Sequence, residues 1–485
     1  MRYFFVWFLL SVSSFAAATT NQQQHLELQI GTEPHSGCAL VNITFQGDAD
    51  GTTELEFSRW AGLENLSDHL RGVQASYLDG SILELKQDGD DGWLVDHDPN
   101  ATISFQYQIA SNSLQQEGEG QAYFRPLVSA EMIHLIGHSA LLLPSHYKQD
   151  FSLKFTWLPH SHTAAFNSFV GANDFKKDSV SMSELRGALF VMGDIQIEQR
   201  EVAGQPLYIT LQRRPDEGLD WNFNIALLAD LAASITQAER DFFGDYDFPF
   251  YWVSAISAGQ AMSEGYMFSG TLLHNNFALF LNPSTIFELN EPNGSPIVNL
   301  LAHEMMHVWI GSRISPELST PVGELAWFTE GFTNYLTNKV LLHAEILSQE
   351  QYVTVMNEAF TALIENPAKN ASNEDIAEKF WSDFDHQMLP YQRGHLVAFY
   401  LDHSLRSTNL ESLIKAWLAD GTWNQAFTLE RFLASVKPHL APANLEQLKN
   451  FIEQGSLPSW TSLQTSCFKP DGEKKLIQSA QENCF

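Results

Sequence analysis

A change of pattern near Asp216 divides the chain into two parts with different periodicities. From His25 to Arg214, short segments alternate apolar and polar residues and are rich in β-branched and aromatic side chains, as in ALVNITFQG and ATISFQYQIA. Clusters such as QDGDDG separate these segments, as turns separate strands. Beyond Asp216, apolar residues recur at helical spacing, first in NIALLADLAASITQAERDFFG. The sequence therefore predicts a β-sandwich followed by a mixed and then mostly helical region.

The first twenty residues are typical of a leader segment. Arg2 precedes an apolar run from Tyr3 to about Val12, and the alanines at 16–18 offer a small-residue cleavage site. A membrane anchor is the alternative, but spanning a bilayer takes about 20 apolar residues, and the run is shorter. No later segment reaches that length. We therefore expect an exported protein, periplasmic or secreted, without a membrane span.

The charge balance excludes two classes of partner. The chain has 27 Lys and Arg against 58 Asp and Glu, for a net charge of −31. A surface of that sign repels phosphate backbones and anionic lipid, so neither nucleic acid nor an anionic membrane is expected as a partner. The oligomeric state stays open.

Export would permit disulfides among the three cysteines. Cys467 and Cys484 bracket a polar tail and could close a small loop, which would leave Cys38 as a buried thiol. Sequence alone does not choose among the three pairings.

A metal-binding pattern lies in SPIVNLLAHEMMHVWIGSRI, which begins at Ser295 and reads as one helix. His303 and His307 are four residues apart, so they share a helix face and can present two imidazoles to one tetrahedral ion. Glu304, beside the first histidine, can reach water next to that ion. Such a short pattern arises by chance in roughly one chain in thirty of this composition. A third ligand must therefore decide.

The third ligand is predicted to be a glutamate. No histidine follows His307 until His343, which argues against a third histidine in an H-x-x-G-x-x-H pattern. Glu317, Glu324 and Glu330 are in range. Glu324 lies in the loop-like PVGELA, where a solvated side chain is expected, whereas Glu330 follows an apolar run at a predicted helix start. We therefore predict one Zn²⁺ per chain, bound by the two histidines and Glu330.

These motifs resemble those of the gluzincin aminopeptidases, which read H-E-x-x-H-x-W and then W-x-x-E-G. Here HEMMHVW is followed 23 residues later by the glutamate of WFTEGFTNY. LPYQRGHLVAFYLDHSLR is similar to the Y-x-K-G segment of that clan and contains Tyr391. Within the clan, LEFSRWAG and WLVDHDPNATISFQYQIA resemble segments of the glycyl aminopeptidase family. Unlike most of that family, this chain shows no segment that reads as a PDZ domain.

The resemblance implies a multidomain α+β fold in four segments. These are a signal peptide over residues 1–18, a β-sandwich domain over 19–215, a thermolysin-like α/β catalytic domain over 216–345, and a helical domain with a short C-terminal tail over 346–485.

The resemblance also assigns roles to the site residues. It implies that Glu304 moves a proton during hydrolysis of a peptide substrate and that Tyr391 donates a hydrogen bond to the oxyanion. A buried core tyrosine is the alternative for Tyr391. Asn334, one turn after Glu330, could orient a metal-bound histidine, or it could be a plain surface residue.

One departure from the family bears on the substrate. The family reads G-G-L-E-H where this chain reads GTLLH, from Gly270 to His274. Leu273 replaces the glutamate that would hold a free amine, although Gly270 and Leu273 are still predicted to bind substrate. Glu264 is the nearest substitute acid. The function predicted is zinc-dependent peptide hydrolysis, aminopeptidase-like; the alternative is an inactive relative that acts as a binding protein.

Overall fold

A computed structural model provides the structure of the chain. It describes residues 23–33, 37–58, 60–89, 91–110, 123–158, 164–214, 221–246, 251–257, 268–282, 295–317, 319–321, 323–460, 468–470 and 476–478. The predicted signal peptide, Glu264, Cys467 and Cys484 lie outside these residues. Cys38 is buried, with 2% of its surface exposed.

The first part of the chain consists of short strands, as its alternating pattern predicts. In β2, every second residue from Ala39 to Phe45 is buried, so one face of the strand packs into a core. The strands are β1 (His25–Thr32), β2 (Ala39–Gln46), β3 (Thr52–Glu56), β4 (Leu70–Tyr77), β5 (Leu85–Asp88), β6 (Gly92–Asp96), β7 (Thr102–Ile109), β8 (Leu127–Val128), β9 (Ile133–Ile136), β10 (Leu143–Pro144), β11 (Phe151–Trp157), β12 (Ala164–Asn167), β13 (Phe175–Val180) and β14 (Leu189–Gly193).

These strands form three sheets. The largest has the order β13-β11-β1-β2-β7-β4, and two four-stranded sheets have the orders β10-β3-β6-β5 and β12-β14-β9-β8. The pairing is antiparallel except between β1 and β11. One cluster of buried apolar side chains includes residues from all three sheets. The sheets therefore share a core.

Two further sheets follow along the chain, one of five strands and one of two. The five-stranded sheet has the order β15-β16-β17-β19-β18, with parallel pairs β16–β17 and β17–β19. Because β15 and β16 pair into it, this sheet crosses the predicted boundary at residue 215. Its strands are β15 (Ile195–Val202), β16 (Gln205–Gln212), β17 (Tyr251–Ser257), β18 (Phe268–Leu273) and β19 (Asn276–Leu281); β20 (Phe468–Pro470) and β21 (Leu476–Gln478) form the small hairpin.

Helices dominate the second part of the chain. Polar residues begin several of them: the Asp383 side chain, for example, accepts a hydrogen bond of 3.0 Å from the His386 amide at the start of α9. The helices are α1 (Gly137–Ala140), α2 (Met182–Arg186), α3 (Ile225–Phe243), α4 (Pro296–Met306), α5 (Ala326–Thr329), α6 (Gly331–His343), α7 (Gln349–Glu365), α8 (Asn373–Lys379), α9 (Phe384–Ser404), α10 (Leu410–Asp420), α11 (Leu429–Val436) and α12 (Pro442–Gln454).

One continuous core joins the five-stranded sheet to these helices. The cluster of buried apolar residues extends from Val202 to Trp460 and includes side chains from α3, α4, α6, α9 and α12. It crosses the predicted boundary between residues 345 and 346. The mixed α+β class, with several sheets and C-terminal helices, is confirmed, whereas the exact domain boundaries stay predictions. No helix among the described residues is both long enough and apolar enough to cross a membrane.

The helix that carries the histidines is shorter than predicted. It begins at Pro296 after Ser295, as expected, but it ends at Met306. His307 still has helical dihedral angles, with φ −61° and ψ −13°, so the spacing of the two imidazoles is preserved. Gly311 then takes a φ of +98°, which favours glycine and turns the chain away.

Two glycines let helices α6 and α9 cross in backbone contact. A Cβ placed on Gly331 would lie 2.2 Å from Cα of Gly394, and a Cβ on Gly394 would lie 2.0 Å from the carbonyl oxygen of Trp327. No other residue type fits at either position without moving a helix. Glu330 precedes one of these glycines and Tyr391 lies one turn before the other, so the crossing brings both residues to the same place.

Candidate metal centre

Three side chains from two segments converge between α4 and α6. His303 lies in α4 and His307 caps its C-terminal end, while Glu330 stands at the junction of α5 and α6. Their ligand atoms form the one group of three or more metal-binding side chains found among the described residues, and all lie within 4.8 Å of one another. The sequence predicted this set.

The separations within the group suit a single small cation. Nε2 of His303 lies 3.1 Å from Nε2 of His307. One Glu330 oxygen, Oε2, lies 3.3 Å from the first nitrogen and 3.5 Å from the second. Zinc bound at about 2.0–2.1 Å in a tetrahedron sets its ligand atoms roughly 3.3–3.4 Å apart. Two imidazoles and one carboxylate are also a usual ligand set for zinc, so these residues fit the ion.

Hydrogen bonds on the outer side of each imidazole fix its orientation. Nδ1 of His303 lies 2.8 Å from Oδ1 of Asn334, and Nδ1 of His307 lies 3.0 Å from the carbonyl oxygen of Ile310. Both partners are acceptors, so Nδ1 carries the proton in each ring and donates it. The Nε2 lone pairs are then directed at the shared site. Asn334 thus has the orienting contact that the sequence left open.

The electrostatics of the cluster favour a positive charge. Burial alone would lower the pKa of His307, but the Glu330 carboxylate, with a smaller effect from Glu304, raises it to about 9. Burial alone would raise the pKa of Glu330, yet the two histidines hold it well below its usual range. The carboxylate is therefore ionised at neutral pH. The negative field that favours a second proton on Nε2 of His307 also favours a metal cation, which would take the place of that proton.

Glu304 lies half-buried beside this cluster and is not one of its three ligands. Burial is the main cause of its raised pKa, and the charge of Glu330 adds to the effect. The backbone amide of Leu272 donates a hydrogen bond to its carboxylate. Leu272 belongs to β18, the edge strand of the five-stranded sheet, so Glu304 lies between the metal ligands and that edge.

Tyr391 lies in α9 and contacts the metal-ligand cluster. Its hydroxyl donates a hydrogen bond to Glu330, and its ring centroid lies 6.1 Å from that of His303. Burial and the charges of Glu330 and Glu304 raise the pKa of its hydroxyl well above the usual value. The phenol therefore stays protonated at neutral pH and can donate.

The predicted substrate residues on β18 have different surroundings. A Cβ on Gly270 would lie 2.4 Å from the ring of Phe277, so packing within the sheet already requires glycine there. Leu273 is 7% exposed and packs with Trp252 and Phe280 on one face of the sheet. Residues that alternate with these, such as Phe277, face the core that contains α4. The Leu273 side chain thus lies on the sheet face opposite to α4.

The other candidate ligands lie outside the cluster. Glu317 and Glu324 are both exposed, as expected for Glu324 from its loop-like context. His274 lies in the turn after β18, where its amide donates a hydrogen bond of 2.8 Å to the carbonyl of Gly187.

Sequence reasoning missed three contributors to the site. The carbonyl of Ile310 orients His307, and Gly331 and Gly394 form the helix crossing. A glycine in the interior of a predicted helix was the available signal for Gly394, because such a residue usually has a packing reason.

Comparisons with known proteins agree with this geometry. A family model described as M61 glycyl aminopeptidase matches residues 297–405, which contain all three ligands, Glu304 and Tyr391. Glutamyl aminopeptidase of Mus musculus is 25% identical over 173 residues. That match covers 34% of this chain and only 16% of the mouse protein.

Solved structures show the same fold over most of the chain. An aminopeptidase N family protein from Idiomarina loihiensis superposes with a TM-score of 0.67 at 18% identity, over 88% of this chain and 78% of the other. An M1 zinc metallopeptidase from Deinococcus radiodurans gives 0.56 at 14% identity, over 90% and 95%. Together, these matches show that the chain shares the fold of M1-type metallopeptidases and that its site segment resembles that of the glycyl aminopeptidases.

Proposed function

We propose that this protein hydrolyses peptide bonds with one zinc ion held by His303, His307 and Glu330. The observation that carries the proposal is the triangle of ligand atoms, 3.1–3.5 Å on a side, with half-buried Glu304 next to it. A non-catalytic zinc site usually has four protein ligands, whereas a catalytic one keeps a position open. Three ligands beside a half-buried base therefore support catalysis.

Each residue around the ion has a separate role in the proposed hydrolysis. When bound, zinc supplies Lewis-acid polarisation of the scissile carbonyl and makes water a better nucleophile. The Glu304 carboxylate takes a proton from the attacking water and passes it to the leaving amine. The Tyr391 hydroxyl donates to the oxygen on which negative charge develops. Asn334 keeps the His303 ring in the tautomer that directs Nε2 at the site.

Strand β18, the last strand of the five-stranded sheet among the described residues, supports a peptide as the substrate. The Leu272 amide points towards Glu304, and the backbone groups of Gly270 point the same way because strand residues alternate with a period of two. An edge strand offers unpaired N–H and C=O groups to an extended chain. A peptide bound there would pass Glu304 and the metal ligands.

The identity of the residue at 273 bears on where the peptide is cut. A buried ammonium needs a paired charge, and the buried Leu273 supplies none. Glu264, the nearest substitute acid in the sequence, lies outside the described residues. We therefore propose that strict selection of a free amino terminus is lost and that the enzyme accepts blocked or internal positions.

An inactive relative that serves as a binding protein is the second candidate. The replacement at Leu273 favours it, since the anchor for a free amine is missing. The enzyme is favoured because all three ligands, Glu304 and the Tyr391 contact are present. A binding role would not require this complete set.

Export and a three-domain arrangement complete the proposal. The leader pattern over residues 1–18 supports export to the periplasm or the medium. The separate core of the N-terminal sheets supports a β-sandwich domain ahead of the catalytic region.

Zinc content and cleavage of a peptide pool test the function together. The purified protein should contain about one zinc per chain and release peptides whose sequences locate the cut. Glu330→Ala should lose most of its zinc and most of its peptide cleavage, because two imidazoles alone bind zinc weakly. Glu324→Ala, at an exposed glutamate in the same loop region, is the matched control. Full zinc content in Glu330→Ala would remove that residue from the ligand set, and zinc without turnover would favour the binding protein.

A further inference from the structure

A buried arginine lies two residues beyond Tyr391 on α9. Arg393 is 1% exposed, and its Nη2 donates hydrogen bonds of 2.8 Å and 2.7 Å to the carbonyl oxygens of Lys369 and Ala371. Gly455, at the end of α12, packs on the guanidinium, since a Cβ there would lie 2.8 Å from Nη2. The side chain therefore stands where α9, the α7–α8 connection and α12 meet.

Two of the three guanidinium nitrogens of Arg393 make no hydrogen bond to the described residues. Nε and Nη1 are buried and have no hydrogen-bond partner in the part of the chain that the structure describes. Buried polar groups are paired in nearly all native structures, and each exception calls for a missing partner. The N–H groups on these two nitrogens point to an acceptor that does not come from the described residues.

The positive charge of Arg393 indicates that the missing acceptor is an anion. Burial is the only cause found for the shift in the pKa of Arg393, which falls to about 10, so the group remains protonated at neutral pH. No carboxylate among the described residues pairs with it. The nearest cation in the connection, Lys369, uses its Nζ on the carbonyl of Ile364. A buried charge without a counter-charge is strongly unfavourable. A water molecule would satisfy an N–H but would not neutralise the charge.

We propose that the unpaired N–H groups of Arg393 bind one small monovalent anion of the chloride class. A polyatomic anion with several charges is less suitable, because Lys369 uses its Nζ on the carbonyl of Ile364 and Gly455 packs closely on the guanidinium. The anion neutralises the guanidinium where α9, the α7–α8 connection and α12 meet, and it stabilises that junction. This site is separate from the zinc cluster and does not depend on the proposed hydrolysis.

Thermal unfolding of the full, zinc-loaded chain tests the site. Sodium chloride and sodium gluconate are compared at one ionic strength, since gluconate is too large for a buried position. Wild type should unfold about 1–2 °C higher in chloride, with a saturable dependence on its concentration. Arg393→Gln should remove this difference. Arg431→Gln is the matched control, because Arg431 already pairs with Asp420 and should leave the chloride response intact.

Crystals of the wild type grown in bromide provide a test that needs no variant. An anomalous scattering peak within hydrogen-bond distance of Nη1 or Nε of Arg393 is the expected result. A water at that position, or no difference between chloride and gluconate in wild type, would overturn the proposal. If Arg393→Gln does not fold, the bromide peak alone decides.

Discussion

The two sides of the proposed cleft are built in different ways. On the metal side, α4, α6 and α9 supply side chains whose roles follow from their chemistry and spacing. On the opposite side, the edge strand β18 supplies backbone groups, and its side chains serve the packing of the sheet: Gly270 fits against Phe277, and Leu273 is buried on the face away from α4. Residue identity is therefore informative for the metal ligands and much less informative for the strand proposed to receive the substrate.

The largest effect should come from the residue that links the two sides. Glu304→Gln keeps the shape and the hydrogen bond from Leu272 but removes the proton acceptor, so kcat should fall by roughly 10⁴-fold. Zinc content should remain that of wild type, as measured by elemental analysis of the same samples. Hydrolysis at the wild-type rate would show that Glu304 is not the base.

Loss of the tyrosine hydroxyl should have a smaller effect on the same side. Tyr391→Phe removes the donor to the developing oxyanion and should lower kcat by about 10²-fold, with zinc retained. Tyr335→Phe is the control, because its hydroxyl donates to Asp402, away from the metal ligands. An equal loss of activity in both variants would point to a general packing defect.

Removal of the contact between Asn334 and His303 tests whether a side chain that does not itself bind zinc affects zinc binding. Asn334→Ala leaves Nδ1 of His303 without its acceptor and should weaken zinc binding by about 10- to 100-fold, measured by competition with a chelator. Asn338→Ala lies one turn further along α6, where its amide bonds a backbone carbonyl, and should change zinc affinity little. Unchanged affinity in Asn334→Ala would make the contact incidental.

The smallest change is expected on the strand side. If Leu273 has removed selection for a free amine, peptides with acetylated and free amino termini should be cleaved with kcat/KM values that agree to within a few fold. Paired peptides of one sequence, with products identified by mass spectrometry, provide the measurement. Rapid removal of single residues from free ends, with the acetylated peptides untouched, would restore a strict aminopeptidase.

Sequence reasoning succeeded where the determinants are local. His303 and His307 are one helical turn apart, so their convergence follows from helix geometry alone. Glu330 could be selected because it stands at a helix start while Glu324 reads as a loop residue. The early end of α4 was missed, because the turn at Gly311 depends on packing that a helical pattern does not reveal.

The remaining features depend on contacts between distant segments. The face on which Leu273 lies is set by how β18 pairs with β19 and by what covers each face of the sheet, and a motif alignment contains neither fact. The crossing of Gly331 and Gly394 joins positions more than sixty residues apart. Strands β15 and β16 looked like part of the β-sandwich because strand patterns do not specify a sheet partner.

The glycine crossing also sets the timescale on which the site can change shape. Side chains in contact can exchange rotamers within nanoseconds, but two backbones in contact have no rotamers to exchange. The backbone separation of Glu330 and Tyr391 can therefore change only when whole helices move, and such collective motions take microseconds to milliseconds. Between these events the backbones that carry Glu330 and Tyr391 keep a fixed separation, so only rotation of the two side chains themselves can change the contact between them.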